Sequence, residues 1–598
     1  MKTKLVSLLL LVPFFASSQH IAIPNNYPVF TYNSSNGTDH TTDVHNYVSQ
    51  TLMTGYFEGQ TEFWGYDASS GTNVLINSVS DLSNTRSFFA SSHDGAGSLV
   101  WFITSLSSGS SNAYNNSKVA YDANSNTYLF CVQYDAGSAG TPIEFFSSAS
   151  GLTAIAAPAQ YGLLSIVVDA TGAILSICSA TSSASPVILD DVDVDVSNGM
   201  MYATGFLQIG ASAQAYILSY MPATCAGGTI LFPTTTNNSW GRGIDVEASE
   251  VFVTGDFEST LDWGSGPVTT AAFRDVFVLR LNSALTPGAI TSAQAVSYAE
   301  AYDVDVLPGW EVYVSGSIRQ ASAWAMGSFG IAPPGALHGF IQLFDPFLVS
   351  TCTYSRVLAT GPGEFFQMVD LEINTIPPGT PGLLTEITIA GNMNHANPVY
   401  EAFGGCAVIL PTTTLTAPSN QAGFVLQVDP LLPPVWTNFS SLTTSATPPT
   451  VTSVSSYERD IFVGGYKNDV VTLLPTSTGD FIPNLGNTSM NAFYTYIFSN
   501  GGVGDFLKTA TSVAEEAEEE KVSFAVYPNP ANEVLYLRIE DDVQLEQVIL
   551  KDLAGRDIRF WNGQEAAGGL SIGDVPAGIY FLEVEGKGIR STERVVIQ

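Results

Sequence analysis

Positive charge is what this sequence has least of. Its 598 residues carry 20 Lys plus Arg against 55 Asp plus Glu, a formal net charge of −35. A surface of that sign repels phosphate backbones, so nucleic acid is not an expected partner. Long apolar runs are missing after the N-terminus, so no transmembrane helix is expected. The six His (His20, His40, His45, His93, His338 and His395) form no H-E-x-x-H and no metal-ligand spacing. There is no phosphate-binding glycine loop, and a triad assembled from distant residues is not excluded. The five Cys are far apart, without a C-x-x-C pair, and their odd number leaves at least one unpaired within a monomer. A zinc site is not expected. Helical periodicity is scarce too, while Gly, Ser, Thr, Asn and Pro are plentiful, which is the profile of a large all-β protein.

What is present begins with a secretory signal at residues 1–18. Lys2 and Lys4 precede an apolar stretch, Leu5 to Phe15, too short to span a bilayer, and Ala16-Ser17-Ser18 is a small-residue cleavage site. A lead-in, 19–41, holds the lone strand Val29-Phe30-Thr31-Tyr32. The sequence leaves open whether this strand closes the fold that follows.

From residue 42 to 508 one unit repeats. Gly243-Ile-Asp-Val-Glu-Ala-Ser-Glu-Val-Phe-Val-Thr-Gly255 reads as two short strands around a turn, the first alternating apolar and acidic residues. Its copies end Leu52-Met-Thr-Gly55, Tyr128-Leu-Phe-Cys131, Tyr202-Ala-Thr-Gly205, Phe252-Val-Thr-Gly255, Tyr313-Val-Ser-Gly316, Thr388-Ile-Ala-Gly391 and Phe462-Val-Gly-Gly465, with Cys131 aligned in place of the glycine in the second copy. A further hairpin follows each copy, several with Asp or Asn at the end of its first strand, as in Ile166-Val-Val-Asp169-Ala-Thr-Gly172. Two hairpins make a four-stranded sheet. Seven such sheets bury both faces only by stacking, and a closed ring leaves the fewest edges. The units resemble the seven-bladed bacterial β-propeller repeats with a V-D-x-x-G-N-V-Y-V-T-G core found in secreted proteins. The resemblance implies the fold and no particular activity.

An acidic run, Glu515-Glu516-Ala517-Glu518-Glu519-Glu520, marks a linker at 509–521. Residues 522–598 then read as a small sandwich of immunoglobulin-like size and spacing. They carry Tyr527-Pro528-Asn529-Pro530, Asp552-Leu-Ala-Gly555-Arg556, Pro576-Ala-Gly578-Ile-Tyr580 and Arg594-Val595-Val596. This pattern closely resembles the C-terminal sorting domain of the type IX secretion system of Bacteroidetes. The resemblance implies passage across the outer membrane in partnership with that machinery, then release or attachment at the cell surface.

Two features of the repeat bear on a site. In Asp190-Asp-Val-Asp-Val-Asp195 alternate acids share one strand face, and Asp245, Asp303, Asp305, Asp370 and Glu372 fall near the equivalent position elsewhere. Either they bond to neighbouring backbone, or they form a carboxylate ring holding a cation. The metal expectation is calcium on Asp193, Asp195, Asp245 and Asp305, because an irregular oxygen cage suits that ion. Trp64, Trp263, Trp310 and Trp324 flank the second strand, where they either pack between blades or meet sugar rings. The expected function is non-catalytic binding of a glycan or protein ligand by a monomer. The alternative is a polysaccharide-degrading enzyme with its acids in the central funnel.

Overall fold

The computed structural model describes residues 29–597 apart from loop segments, of which 320–335, 376–384, 483–490 and 499–523 are the longest. It divides into two compact units that meet at residues 502 and 503.

The first unit is a seven-bladed β-propeller. Its innermost strands are Asp39–Tyr47, Ala113–Asp122, Val187–Asp195, Ser239–Glu247, Ala299–Leu307, Phe366–Thr375 and Thr450–Tyr457, each heading an antiparallel sheet of at least four strands. Every innermost strand packs on the next, and the seventh packs on the first. The seventh sheet takes its fourth strand from the N-terminus: Val29–Asn33 pairs with Asn491–Phe498. The lead-in strand therefore closes the ring.

The uneven repeat length has one cause in four of the blades. Between the second and third strands the chain makes an excursion that extends the sheet of the preceding blade. Gln60–Asp67 and Thr72–Ser80 lie beyond Val29–Asn33 on the seventh sheet, while Pro142–Ser147 and Gly151–Ala156 lengthen the first. Val399–Gly404 and Val471–Leu474 do the same for the fifth and sixth. The outer edges that would otherwise stand open are thus paired by a neighbour's chain.

The repeated glycine sits opposite a β-bulge in the innermost strand. A Cβ at Gly55, Gly205 or Gly391 would lie within 2.0 Å of the carbonyl oxygen of His40, Ile188 or Gln367. An aromatic residue of the third strand stands across from it each time, as in Gly55 with Phe89, Gly205 with Tyr216 and Gly255 with Phe277. The second blade corrects the sequence alignment. There the bulge falls between Tyr114 and Asn116, opposite Tyr134 and Gln133, so Tyr134 and not Cys131 holds the glycine position. Its cross-strand partner is Gly162, so the glycine and the aromatic have exchanged strands. Cys131, three residues earlier, is a free, fully buried thiol. The Asp or Asn that ends the third strand makes the turn after it: Oδ1 of Asp169 accepts the N–H of Thr171 and Ala173, and Asn282 and Asp345 repeat this with the second and fourth residues onward.

The second unit is a two-sheet sandwich. Phe524–Tyr527, Val534–Ile539 and Leu570–Ser571 form one sheet; Asp557–Asn562, Leu545–Lys551, Gly578–Gly586 and Ile589–Ile597 form the other. Leu535, Val548, Leu550, Leu570, Leu582 and Val595 fill the shared core. The fourth strand pairs with the third, a departure from the constant-type immunoglobulin order.

Candidate functional site

The innermost strand of a propeller has a free edge toward the axis, so alternate N–H groups there need partners from elsewhere. The repeated acids supply them, reaching from each blade to the next. In an upper tier, Asp43 accepts the N–H of Val119, Asp191 that of Ile244, Asp303 that of Leu371 and Asp370 that of Val454, at 2.6–2.9 Å. One turn of the pleat lower, Asp193 accepts from Val246, Asp245 from Val306 and Asp305 from Ile373, at 2.6–2.7 Å. The closing junction uses hydroxyls instead: Ser453 and Ser455 accept from Val44 and Asn46. Between the second and third blades, Asn116 and Gln133 hold the carbonyl and N–H of Leu189. All seven junctions are tied by side chains of this kind.

The structure brings Asp193, Asp245 and Asp305 together and leaves Asp195 apart. Asp195 caps the turn below, accepting from Ser197, Asn198 and Ser249. Burial alone would raise its pKa, but these hydrogen bonds hold it below the ordinary value. In two of the other three, both carboxyl oxygens accept backbone N–H groups. Asp245 gives Oδ1 to Val246 N–H and Oδ2 to Val306 N–H, and Asp305 divides its oxygens the same way between Val306 and Ile373. Among the described residues no group of three or more His, Cys, Asp or Glu is arranged to hold a metal ion. The charge problem is met in two other ways. In the upper tier the chain provides its own cation: the Lys118 ammonium lies 3.9 Å from Asp43. Burial would lower its pKa, yet Asp43, Asp191, Asp370 and Asp303 together hold it above the ordinary value. In the lower tier the like charges of Asp193, Asp245 and Asp305 act on one another, and with burial this favours the protonated form of Asp245 and Asp305. Burial pushes Asp191 and Asp193 up to about 7, and Asp245, Asp303, Asp305 and Glu372 are also well above the carboxylate range.

A pH dependence follows. A carboxyl whose folded pKa is raised contributes stability that is full below its unfolded value, near 3.8, and is lost as pH rises through the folded one, near 7 for Asp191 and Asp193. Part-buried His40 and buried His93, lowered by desolvation to about 4 and about 3, act oppositely, but their contribution is complete above the ordinary value of 6.5. Stability should therefore fall as pH rises toward 7, most clearly above 6.5 where the histidines no longer offset it, by roughly 1 kcal/mol per pH unit for each proton that the folded state keeps and the unfolded state has lost. Thermal melts at constant ionic strength, with calcium and with chelator, check this. The two sets should superimpose; a flat profile that appears only with calcium would restore the metal.

Above the tiers, where innermost strands begin and second strands end, lies the part of the site that the sequence did not reveal. The bulged residues, three before each lower-tier position, are Thr42, Asn115, Asp190, Arg242, Tyr302, Val369 and Thr452, all part-buried. Over blades three to six they join a continuous polar string. Asp190 meets Arg242 at 3.3 Å, Arg242 meets Asp256 at 3.5 Å, Asp256 meets Arg274, and Arg274 meets Glu300 at 2.7 Å. Glu300 then accepts from Tyr302, which accepts from Gln367. The Arg274 guanidinium lies 4.0 Å over the Trp240 ring. On the opposite arc His40 stacks between Tyr56 and Tyr466. Of the tryptophans singled out, Trp263 is buried against Phe277, and Trp64 lies in the strand Gln60–Asp67. Trp310 and Trp324 lie outside the described residues.

The model for the secretion system C-terminal sorting domain matches residues 525–598. The second unit is a type IX sorting domain. Tyr580 of its motif is buried, and its hydroxyl donates to the Pro576 carbonyl at 2.9 Å. Gly578 opens the strand that carries it, pairing with Ile597, and Tyr527 pairs with Tyr536. Pro528, Asn529, Pro530, Asp552, Gly555 and Arg556 fall outside the described residues. The sorting domain marks the chain for secretion to the cell surface, and among the described residues no helix is long and apolar enough to cross a membrane. A chain ending at Glu520 should accumulate in the periplasm of its native host. Normal arrival at the surface, seen by protease shaving of intact cells, would overturn the sorting role.

No curated protein matches the chain. Among solved structures, the Dos1 propeller is 9% identical over 80% of this chain and 96% of its own, with a TM-score of 0.35. The polysaccharide lyase Uly1 is 10% identical over 81% and 99%, at 0.31, and the NanB sialidase from Streptococcus pneumoniae is 8% identical over 81% and 96%, at 0.24. These values assign no activity to this chain.

Proposed function

We propose that this propeller, delivered to the cell surface by its sorting domain, is a non-catalytic binding protein that takes a glycan or protein ligand at the upper end of the ring. The observation that carries the reading is the commitment of the axial carboxyls. Acid–base catalysis by a carboxyl pair needs one free to give a proton and one free to take it, in different surroundings. Here Asp245 and Asp305 bind two backbone N–H groups each, one of them in the next blade, so they tie blades together. The polar and aromatic string above them is part-buried and fixed by its own ion pairs, which suits recognition. Glycan-array and hydrolysis screens on the same purified protein test this. Binding without turnover is expected. Turnover that disappears with Asp190→Asn would replace the reading by the enzyme.

A further inference from the structure

We infer that the outermost strand of the first blade, Gly151–Ala156, is an interface on which a second copy of this chain pairs. The inference goes beyond the binding function proposed above and stands without it. Three observations carry it. First, this sheet edge lacks the protection that the other outer edges have. It pairs with Pro142–Ser147 over all six residues without a register shift, and Gly-Leu-Thr-Ala-Ile-Ala holds no charge and no proline. Among the described residues the other outermost strands are irregular or short. Register shifts break the pairing of Ile174–Ser183, Ala226–Leu231, Pro287–Ser292 and Thr72–Ser80. The fifth and sixth sheets end in the two-residue strands Ala407–Val408 and Phe481–Ile482.

Second, the edge is open. The Ala157 N–H bonds the Thr141 carbonyl, which fixes the alternation along the hairpin. Gly151, Thr153 and Ile155 turn their backbone groups toward Pro142–Ser147. Leu152, Ala154 and Ala156 turn theirs outward, and the side chains of the same three residues are exposed, Leu152 at 59%.

Third, the strand is complementary to itself. In an antiparallel two-fold pair centred on Ala154, that residue meets its own copy and Leu152 meets Ala156, a large side chain beside a small one. All three outward residues then exchange N–H···O bonds. Charge selects the occupant: a basic partner would need acids on the strand, which has none. The carboxylate opposite Ala154, on Glu144 one strand inward, would stand about 14 Å from its copy, three strand spacings away and beyond the screening length at physiological salt. With one such edge per chain among the described residues, a two-fold pairing closes at a dimer.

The experiment is sedimentation velocity of the full-length protein from about 1 to 300 µM, a range set by the weak affinity of so small an interface. We expect a reversible dimer. Ala154→Pro should weaken it at least about tenfold, since it removes an outward N–H and no bond of the hairpin; an edge strand accepts proline where the N–H faces solvent. Leu152→Lys should act alike, while Ile230→Lys, on the outermost strand of the third blade, should leave the dimer unchanged. Ala154→Cys should be captured as a disulfide-linked dimer on mild oxidation, because Cα atoms of a hydrogen-bonded pair lie about 5.5 Å apart, and Thr153→Cys should not. Raising salt from about 0.05 to 0.5 M should tighten the dimer, since two chains of charge −35 repel one another. A parent that stays monomeric throughout, the state expected from the sequence alone, would overturn the inference. A dimer untouched by Ala154→Pro and Leu152→Lys, or not captured by Ala154→Cys, would overturn this strand as its interface. A monomeric parent that takes up an extended peptide of another protein, lost in Ala154→Pro, would keep the edge and overturn the second copy as its occupant.

Discussion

Lys118→Met should lose about 3–5 kcal/mol of stability at pH 8, the range for removing one member of a buried ion pair, and much less at pH 5. The Lys118 side chain is 14% exposed and has four carboxyls around it, from the first, third, fifth and sixth blades. Without the ammonium, Asp191, Asp303 and Asp370 keep their burial and lose their counter-charge, so their already raised folded pKa values must rise further. Stability held by a raised carboxyl is lost as pH climbs, so the gap between variant and parent widens from about pH 4 upward. At pH 5 those acids are largely protonated and the missing charge matters little. Urea melts at pH 5, 6.5 and 8 measure the gap. A gap that does not change with pH would mean that Lys118 acts only by filling space.

The second large effect is expected at Cys225→Ser. Cys178, in the outermost strand of the second blade, is bonded to Cys225, in the turn before the last strand of the third, across 47 residues of chain. Closing a loop of that length removes unfolded-state entropy worth about 4 kcal/mol at 25 °C in the chain-entropy model. Surface delivery puts this bond in an oxidising environment, where it persists. The parent should melt lower with dithiothreitol and coincide with the variant, which should not respond. If reductant leaves the parent unchanged, the bond carries no stability. The staple lies at the junction where Asn116 and Gln133 replace the repeated acids and where Tyr134 and Gly162 have changed places. Among the described residues, the least regular pair of blades is therefore the one that is covalently joined.

Much of the architecture was legible because it is written locally. Alternation in Ile244-Asp245-Val246-Glu247 and the closing glycine give a strand pair wherever they recur, and Asp169 announces its turn. The sorting domain was legible because its motif is dense. The second blade was misaligned because the position that Gly205 and Gly255 hold elsewhere belongs there to Tyr134, and only pairing across strands shows that Gly162 now supplies the small residue. The site was half legible. The spacing of Asp193, Asp245 and Asp305 predicted that they meet, but no spacing shows that their oxygens are already occupied by the N–H groups of the next blade. Lys118 was silent, since a single cation in a strand carries no pattern. Arg242 and Tyr302 did carry one, lying three residues before Asp245 and Asp305, but a bulge is needed to turn that offset into a shared direction.

The N-terminal strand has a consequence for maturation. Val29–Asn33 completes the last blade, and among the described residues no propeller sheet borrows a strand from the chain after Phe498. A protease that severs the acidic stretch between Phe498 and Phe524 would free the sorting domain and leave every blade whole. Trimming at the other end is a different matter. Removal of Val29–Asn33 would take an inner strand out of a six-stranded sheet and leave Asn491–Phe498 parted from Gln60–Asp67, so the ring depends on its N-terminal strand.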